Sequence, residues 1–332
     1  MNMGQFTSSV ISAKGVRDAA DRLAGRAVRT PLIENTVLND IAGGRVFLKA
    51  EVLQLGGAFK FRGAYNMISQ IPPDERARGV MAWSSGNHAQ GVARAAAMFG
   101  MKSLIVMPTD APKIKADAVA SLGAEIVTYD RYTDDREEIA RDIMKTRGMH
   151  LAPSFDHPEI IHGQGTVALE SIEQLDERNA GSPDVFVVCC GGGGLTTGCA
   201  IILNDCAPDC DVWIAEPEGY AETWASIENG ERQTADVSLP TICDAIATPT
   251  PGQLTLPIMQ QFVRGGTSIS EADVRAAVRF SFEQLKLVVE PGGAVALASI
   301  LNRSIALDGR TAVVTLSGGN IDSALHAAIV TS

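Results

Sequence analysis

Four short segments of this 332-residue chain carry side chains suited to chemistry rather than to packing. In GGAFKFRGAYN (56–66), Lys60 stands between Phe59 and Phe61, where a helix is expected to begin. Such a lysine either snorkels to the surface or is desolvated beside the partial positive charge of a helix start. In the second case its pKa falls, and the free amine is suited to form a Schiff base. In CCGGGGLTTG (189–198), four glycines follow an apolar strand and precede a helical run. Consecutive backbone N–H groups at a helix start make a cradle for an anion such as phosphate. The competing dinucleotide fingerprint ends on glycine or alanine; Thr196 or Thr197 occupies that place, although Glu216 lies near where a ribose-binding acid belongs. In WSSGNHAQG (83–91), Ser84, Ser85, Asn87 and His88 project from a turn into a helix. Helix capping, worth ~1 kcal/mol, explains one serine but not the run of polar groups. That run suits a substrate carboxylate. In TLSGGNID (315–322), Ser317 either caps the last helix or donates to a ring nitrogen.

These segments need strands and helices to hold them. RVFLKAEV (45–52), GVMAWS (79–84), SLIVM (103–107), EIVTY (125–129), DVFVVCC (184–190), DVWIAE (211–216) and TAVVTLS (311–317) read as buried strands. HAQGVARAAAMFG (88–100) and DDREEIARDIMKTRG (134–148) have helical character. Alternation of this kind predicts an α/β protein whose parallel sheets carry helices on both faces. The chain exceeds the ~250–300 residues at which single cores divide, so two lobes are expected. Residues 79–156 contain complete strand–helix units and read as a small domain inserted into a larger one made of 1–78 and 157–332. Ligands in open α/β sheets bind beyond the carboxyl ends of strands, which is where the four segments fall.

Bulk properties exclude some classes. A net charge of −11 argues against general nucleic-acid binding. No apolar run of ~18 residues is present to span a bilayer, and no apolar core with a cleavage site marks the start. The six cysteines, Cys189, Cys190, Cys199, Cys206, Cys210 and Cys243, match no zinc framework. A reducing, cytoplasmic setting is expected. A nicotinamide dehydrogenase shares the alternation but not the glycine fingerprint. A non-catalytic amino-acid sensor would have no use for Lys60.

Together the motifs resemble the fold-type II (tryptophan-synthase-beta-like) pyridoxal-phosphate (PLP) enzymes, and within them the serine/threonine dehydratase and serine racemase group. The resemblance runs from Thr30-Pro31-Leu32 to Asp322, in the family's order. It implies that Lys60, in AFKFRGA, holds PLP covalently and that Phe59 packs the cofactor. It implies that Asn87 bonds the PLP 3-oxygen, that Gly191, Gly192, Gly193, Gly194 and Leu195 hold the phosphate, and that Ser317 meets the pyridine nitrogen. Ser84, Ser85, Asn87 and His88 would bind the substrate carboxylate. Ser85 matches the serine that faces the opposite side of the substrate Cα in racemases. In EPEGYAET (216–223), Glu216, the Tyr220 carbonyl and Glu222 match positions that hold a divalent cation, Mg²⁺ or Ca²⁺ by ligand type. One departure is Ala58, where the family commonly has serine. A homodimer is implied.

A neutral Ser317 beside the ring nitrogen makes a weaker electron sink than a carboxylate would. That favours β-elimination or racemisation over transamination. The natural substrates are then threonine, serine and 3-hydroxyaspartate. No segment for a large effector domain follows, so the long biosynthetic threonine dehydratases are not expected. GAFKFRGA and YDRYTDDREEI (129–139) resemble the hydroxyaspartate ammonia-lyases of the group more than the threonine enzymes. A second substrate carboxylate needs a cation; Arg136 and His88 are the foremost choices and Arg131 a weaker one. Arg136 could equally pair with acids along an exposed helix. Thr248 matches a further position that approaches substrate. The expected activity is a PLP-dependent ammonia-lyase acting on 3-hydroxyaspartate, with threonine/serine dehydration and serine or aspartate racemisation as alternatives.

Overall fold

The computed structural model describes residues 10–332 other than Ser85, Pro112, Arg131 and Tyr132; at Lys113, Ile114, Arg136 and Glu137 it describes the backbone alone. The strands among the described residues are β1 (Leu32–Glu34), β2 (Arg45–Ala50), β3 (Val80–Trp83), β4 (Ser103–Pro108), β5 (Glu125–Tyr129), β6 (His150–Leu151), β7 (Val185–Cys189), β8 (Asp211–Pro217), β9 (Val263–Ile269) and β10 (Thr311–Leu316). One sheet has the order β1-β2-β10-β7-β8-β9, the other β5-β4-β3-β6. All four strands of the second sheet come from residues 80–151. Every expected strand is present to within two residues at either end.

Alternate side chains along the strands feed different cores, which is why the strands read as continuous apolar runs. In β7, Val185, Val187 and Cys189 enter one cluster, while Phe186 and Val188 enter another on the opposite face. In β4, Ile105 and Met107 face one way, Leu104 and Val106 the other. Both sheets are therefore covered on both faces. The expectation of purely parallel sheets needs one correction: β1 runs antiparallel to β2, pairing Leu32 with Lys49. The connection between them is too short for the crossover that parallel pairing requires. Among the described residues no helix is long and apolar enough to cross a membrane.

The helix Lys60–Ser69 begins at the reactive-type lysine itself, with Phe59 as its N-cap. It is fixed by a buried ionic network. Arg62, wholly buried, donates from Nε and Nη2 to Glu51 (2.7 and 2.8 Å) and from Nη1 and Nη2 to Glu170 (2.7 and 2.8 Å). The Lys49 ammonium donates to Glu170, Gln174 and the Thr30 carbonyl. Burial alone would raise the Glu170 carboxyl, but Arg62 and Lys49 hold it below its usual range. Glu51 lies just past β2 and Glu170 within the helix Pro158–Glu177, so the network locks the lysine helix to two other segments. Removing one partner strands a buried charge. Glu51→Ala is expected to lose about 3–5 kcal/mol of folding stability, read from urea unfolding; a loss below about 1 kcal/mol would mean that the network behaves like a surface ion pair.

Candidate active site

The segments singled out by residue type lie at strand ends: Ser84, Asn87 and His88 after β3, Gly191 to Leu195 after β7 and Ser317 after β10, with Glu216 next to the last residue of β8. The backbone joins two of them directly. The Phe59 N–H donates to the Ser317 carbonyl at 3.1 Å, and Ala58 pairs with Gly318 in an isolated antiparallel bridge. Lys60 is thereby held against the end of β10.

Lys60 does not snorkel outward. Its ammonium donates to the Ser154 carbonyl at 2.8 Å and lies 5.2 Å from the centre of the Phe59 ring. Burial pushes its pKa down to about 8, with the Cys189 thiol weakly opposing. Cys189 also donates to the Ser317 hydroxyl at 3.1 Å. Ser317 is buried and has no hydrogen bond to a carboxylate among the described residues.

The glycine run makes a tight turn into the helix Gly194–Cys206, with Gly193 as N-cap at φ 90°, a left-handed conformation that favours glycine. The Gly191 carbonyl accepts from the Thr223 hydroxyl (3.0 Å), and the Gly192 carbonyl from the Thr255 hydroxyl (2.7 Å) and Gly252 N–H (3.2 Å). With these carbonyls anchored, the first N–H groups of the helix are without intrahelical partners, as at any helix start. A Cβ on Gly192 would come within 2.5 Å of the Phe155 ring. One on Gly191 would come within 3.0 Å of the Thr248 hydroxyl, which puts Thr248 beside the glycine run.

The asparagine segment faces the same place. The Asn87 amide nitrogen donates to Glu290, and its oxygen accepts from Asn320 at 2.8 Å. Glu290 is buried; burial pushes its carboxyl up to about 7, with the Asn87 bond opposing, Asp244 adding and Lys115 opposing. Ser84 accepts from the Gly86 N–H at 3.2 Å. His88 Nε2 meets the Ala152 carbonyl at 2.8 Å, which makes Nε2 the protonated nitrogen, while Nδ1 is buried without a partner among the described residues. Burial, then the nearby Lys60, push its pKa down to about 3. His88 is thus a neutral imidazole. The expectation that it could supply a cation is corrected on that ground.

Glu216 is fully buried and accepts from Thr223 N–H (3.1 Å) and Trp224 N–H (2.8 Å) at the start of the helix Glu222–Asn229. Burial pushes it up to about 8, with those N–H donors opposing and Glu222 adding. Glu222 is buried too, with neither carboxylate oxygen partnered among the described residues, and burial pushes it up to about 7. Tyr220 is buried nearby in sequence, its hydroxyl donating to the Leu239 carbonyl. All six cysteines are free. Ser85 and Arg131 lie outside the described residues, as does the Arg136 side chain; the backbone places Arg136 at the first turn of the helix Arg136–Arg147.

Sequence reasoning missed the segment that ties these groups together. Residues 152–156 supply the Ala152 carbonyl for His88, the Ser154 carbonyl for Lys60, the Phe155 ring against Gly192, and the Asp156 carboxylate for the Gln253 and Leu254 N–H groups. APSFDHP carries little signal, because three of its contributions are backbone or steric. Glu290 was missed as well. An acid inside VVEPGGAVA, just before a proline-led helix, was the available clue.

A family model described as pyridoxal-phosphate dependent enzyme matches residues 24–318. The chain belongs to this family. It is 40% identical over 312 residues to an L-threo-3-hydroxyaspartate ammonia-lyase from Pseudomonas sp, covering 94% of this chain and 96% of that one. It is 37% identical to an L-threonine ammonia-lyase from Thermotoga maritima, covering 94% of this chain and 76% of the relative. The structure of maize serine racemase superposes with a TM-score of 0.90 at 31% identity, covering 95% of each chain. The resemblance read from the motifs, to PLP enzymes of the dehydratase and serine racemase group, is borne out, as is the fold-type II architecture.

Proposed function

We propose that the chain is a PLP-dependent ammonia-lyase that eliminates water from 3-hydroxyaspartate, giving an imine that hydrolyses to oxaloacetate and ammonia. The observation that carries this reading is the Lys60 amine, half-buried at the end of β10, drawn down to about 8 and adjoining Ser317 through Cys189. The family's PLP fits here: the Gly194 helix start suits its phosphate, Asn87 its 3-oxygen, Phe59 its packing and Ser317 its pyridine nitrogen. When bound, PLP supplies the electron sink for bond cleavage at Cα. Lys60, whose lowered pKa of about 8 leaves a neutral fraction near physiological pH that an ordinary lysine lacks, takes the Cα proton. The Cβ–O bond then breaks and the hydroxyl leaves as water, the proton taken from Cα balancing the one the hydroxyl gains. Ser84, Ser85, Asn87 and His88 orient the substrate carboxylate, with Thr248 beside the glycine run.

The 40% identity to the hydroxyaspartate ammonia-lyase supports the diacid. With His88 neutral, Arg136 is the cation we assign to the second carboxylate. Arg136→Ala is then expected to lower kcat/KM for 3-hydroxyaspartate roughly 10- to 100-fold, the worth of a charge-assisted hydrogen bond, and to leave threonine nearly unchanged. Equal losses on both substrates, or none, would remove Arg136 from the site. Threonine/serine dehydration is the second reading, favoured by the 37% identity to a threonine ammonia-lyase.

We also propose a divalent cation, Mg²⁺ or Ca²⁺, held by Glu216, Glu222 and the Tyr220 carbonyl. The buried, unpartnered carboxylate of Glu222 beside Glu216 fits such an ion. The Thr223 hydroxyl bond to the Gly191 carbonyl would link it to the glycine run. Added Mg²⁺ or Ca²⁺ is expected to raise Tm in the wild type and not in Glu222→Gln. An equal rise in both would refute the site.

A further inference from the structure

A side-chain amide has two ends of the same shape and opposite chemistry: its nitrogen donates twice, its oxygen only accepts. Which end meets a ligand is decided by what surrounds it. Around Asn87 the surroundings form a chain whose direction is set from one end. At one end the Gly56 carbonyl, which only accepts, takes a hydrogen bond from Asn320 Nδ2 at 2.7 Å. The second Asn320 hydrogen goes to Asn87 Oδ1 at 2.8 Å. At the other end Asn87 Nδ2 donates to Glu290 Oε1, a carboxylate oxygen. The three side chains come from three separate parts of the chain, and the backbone makes room for them. A Cβ on Gly57 would lie 2.6 Å from Asn320 Oδ1, and one on Gly318 would lie 2.1 Å from Glu290 Oε1 and 2.9 Å from Asn87 Nδ2.

We propose that Glu290 and Asn320 are positioning residues that fix the Asn87 amide with one free N–H directed at the 3-oxygen of the cofactor. The proposal rests on the reading of Asn87 as the partner of that oxygen. Of the four hydrogens on the two amides, three are committed: to Gly56, to Asn87 and to Glu290. The fourth, on Asn87 Nδ2, is left for the cofactor. If the amide were reversed, its oxygen would face both the Glu290 carboxylate and the electron-rich 3-oxygen, and its nitrogen would face the Asn320 N–H. Both contacts would be repulsive. Donation to the 3-oxygen stabilises its ionised form, so the lock sets the balance between the two tautomers of the bound cofactor without touching it.

The test uses holoenzyme and reads the ratio of the long- to short-wavelength absorption bands of bound PLP, together with cofactor content and Tm. Asn87→Ala is expected to shift the ratio toward the short-wavelength band by about tenfold, the worth of one hydrogen bond to a charged oxygen. Asn320→Ala and Glu290→Leu should each shift it in the same direction. Glu290→Gln, which keeps an acceptor oxygen at the same reach, should retain most of the wild-type ratio. Adding Asn320→Ala to Asn87→Ala should change nothing further. If Asn320→Ala and Glu290→Leu keep the wild-type ratio while Asn87→Ala alters it, the lock is refuted and the role of Asn87 stands. If Asn87→Ala itself leaves the ratio unchanged, the underlying reading falls and takes the lock with it. Should Glu290→Leu fail to fold, Asn320→Ala at the opposite end decides the question alone.

Discussion

Lys60→Ala is expected to lower turnover by about 10⁴-fold, the upper range for losing a positioned base, while the chain still folds. The geometry separates these two effects. Lys60 is the first residue of its helix, a position where alanine is well tolerated, and its side chain makes one hydrogen bond among the described residues, to the Ser154 carbonyl. The helix itself is anchored two residues later by the Arg62 network. Tm should therefore hold while activity disappears. The same amine sets a pH dependence. Only its neutral form is a nucleophile, and burial draws its pKa down to about 8. Capture of added PLP by the apoprotein should accelerate with rising pH, pass half-maximum near 8 and level off above it. Turnover by Lys60→Ala within about tenfold of wild type would exclude Lys60 as the base.

Gly192→Ala is expected to weaken PLP binding by roughly 5- to 150-fold, corresponding to an overpacking strain of about 1–3 kcal/mol. A methyl group there would sit 2.5 Å from the Phe155 ring. The ring has little freedom to retreat, because Phe155 also lies against Gly194: a Cβ there would be 2.9 Å from Phe155 Cβ. The neighbouring Ser154 carbonyl holds Lys60. Displacing Phe155 therefore disturbs the helix start and the lysine together. Phe155→Ala in the Gly192→Ala background should restore part of the affinity, and the two substitutions should be strongly non-additive. Equilibrium titration of apoprotein with PLP gives both numbers. Wild-type affinity in Gly192→Ala would show that the glycine is there for the turn alone.

Much of the site was legible because each of its groups sits in a segment of unusual composition. Lys60 between two phenylalanines, four glycines after an apolar strand and SSGNH after another are all local patterns, and each strand preceding them was read within two residues of its bounds. What was missed has no local pattern. β1 is three residues long and is a strand only because β2 pairs with it. The β9 sequence, VRGGTSI, looks like a loop; its glycines make room for the Trp213 and Trp224 rings.

By itself, the sequence determined the α/β class, the lysine, the anion-type glycine turn and the neutral serine at the end of β10, since these depend on residue type and near-neighbour spacing. Tertiary structure alone decided three things. It turned the Lys60 amine inward, which drew its pKa to about 8. It buried His88 beside that amine, so a group read as a possible cation is neutral. It brought Asn87 together with Glu290 and Asn320, each more than two hundred residues from it along the chain. The physical reason is common to all three. Charge state and hydrogen-bond direction depend on desolvation and on the groups opposite, and those partners are assembled by packing across sheets rather than by order along the chain.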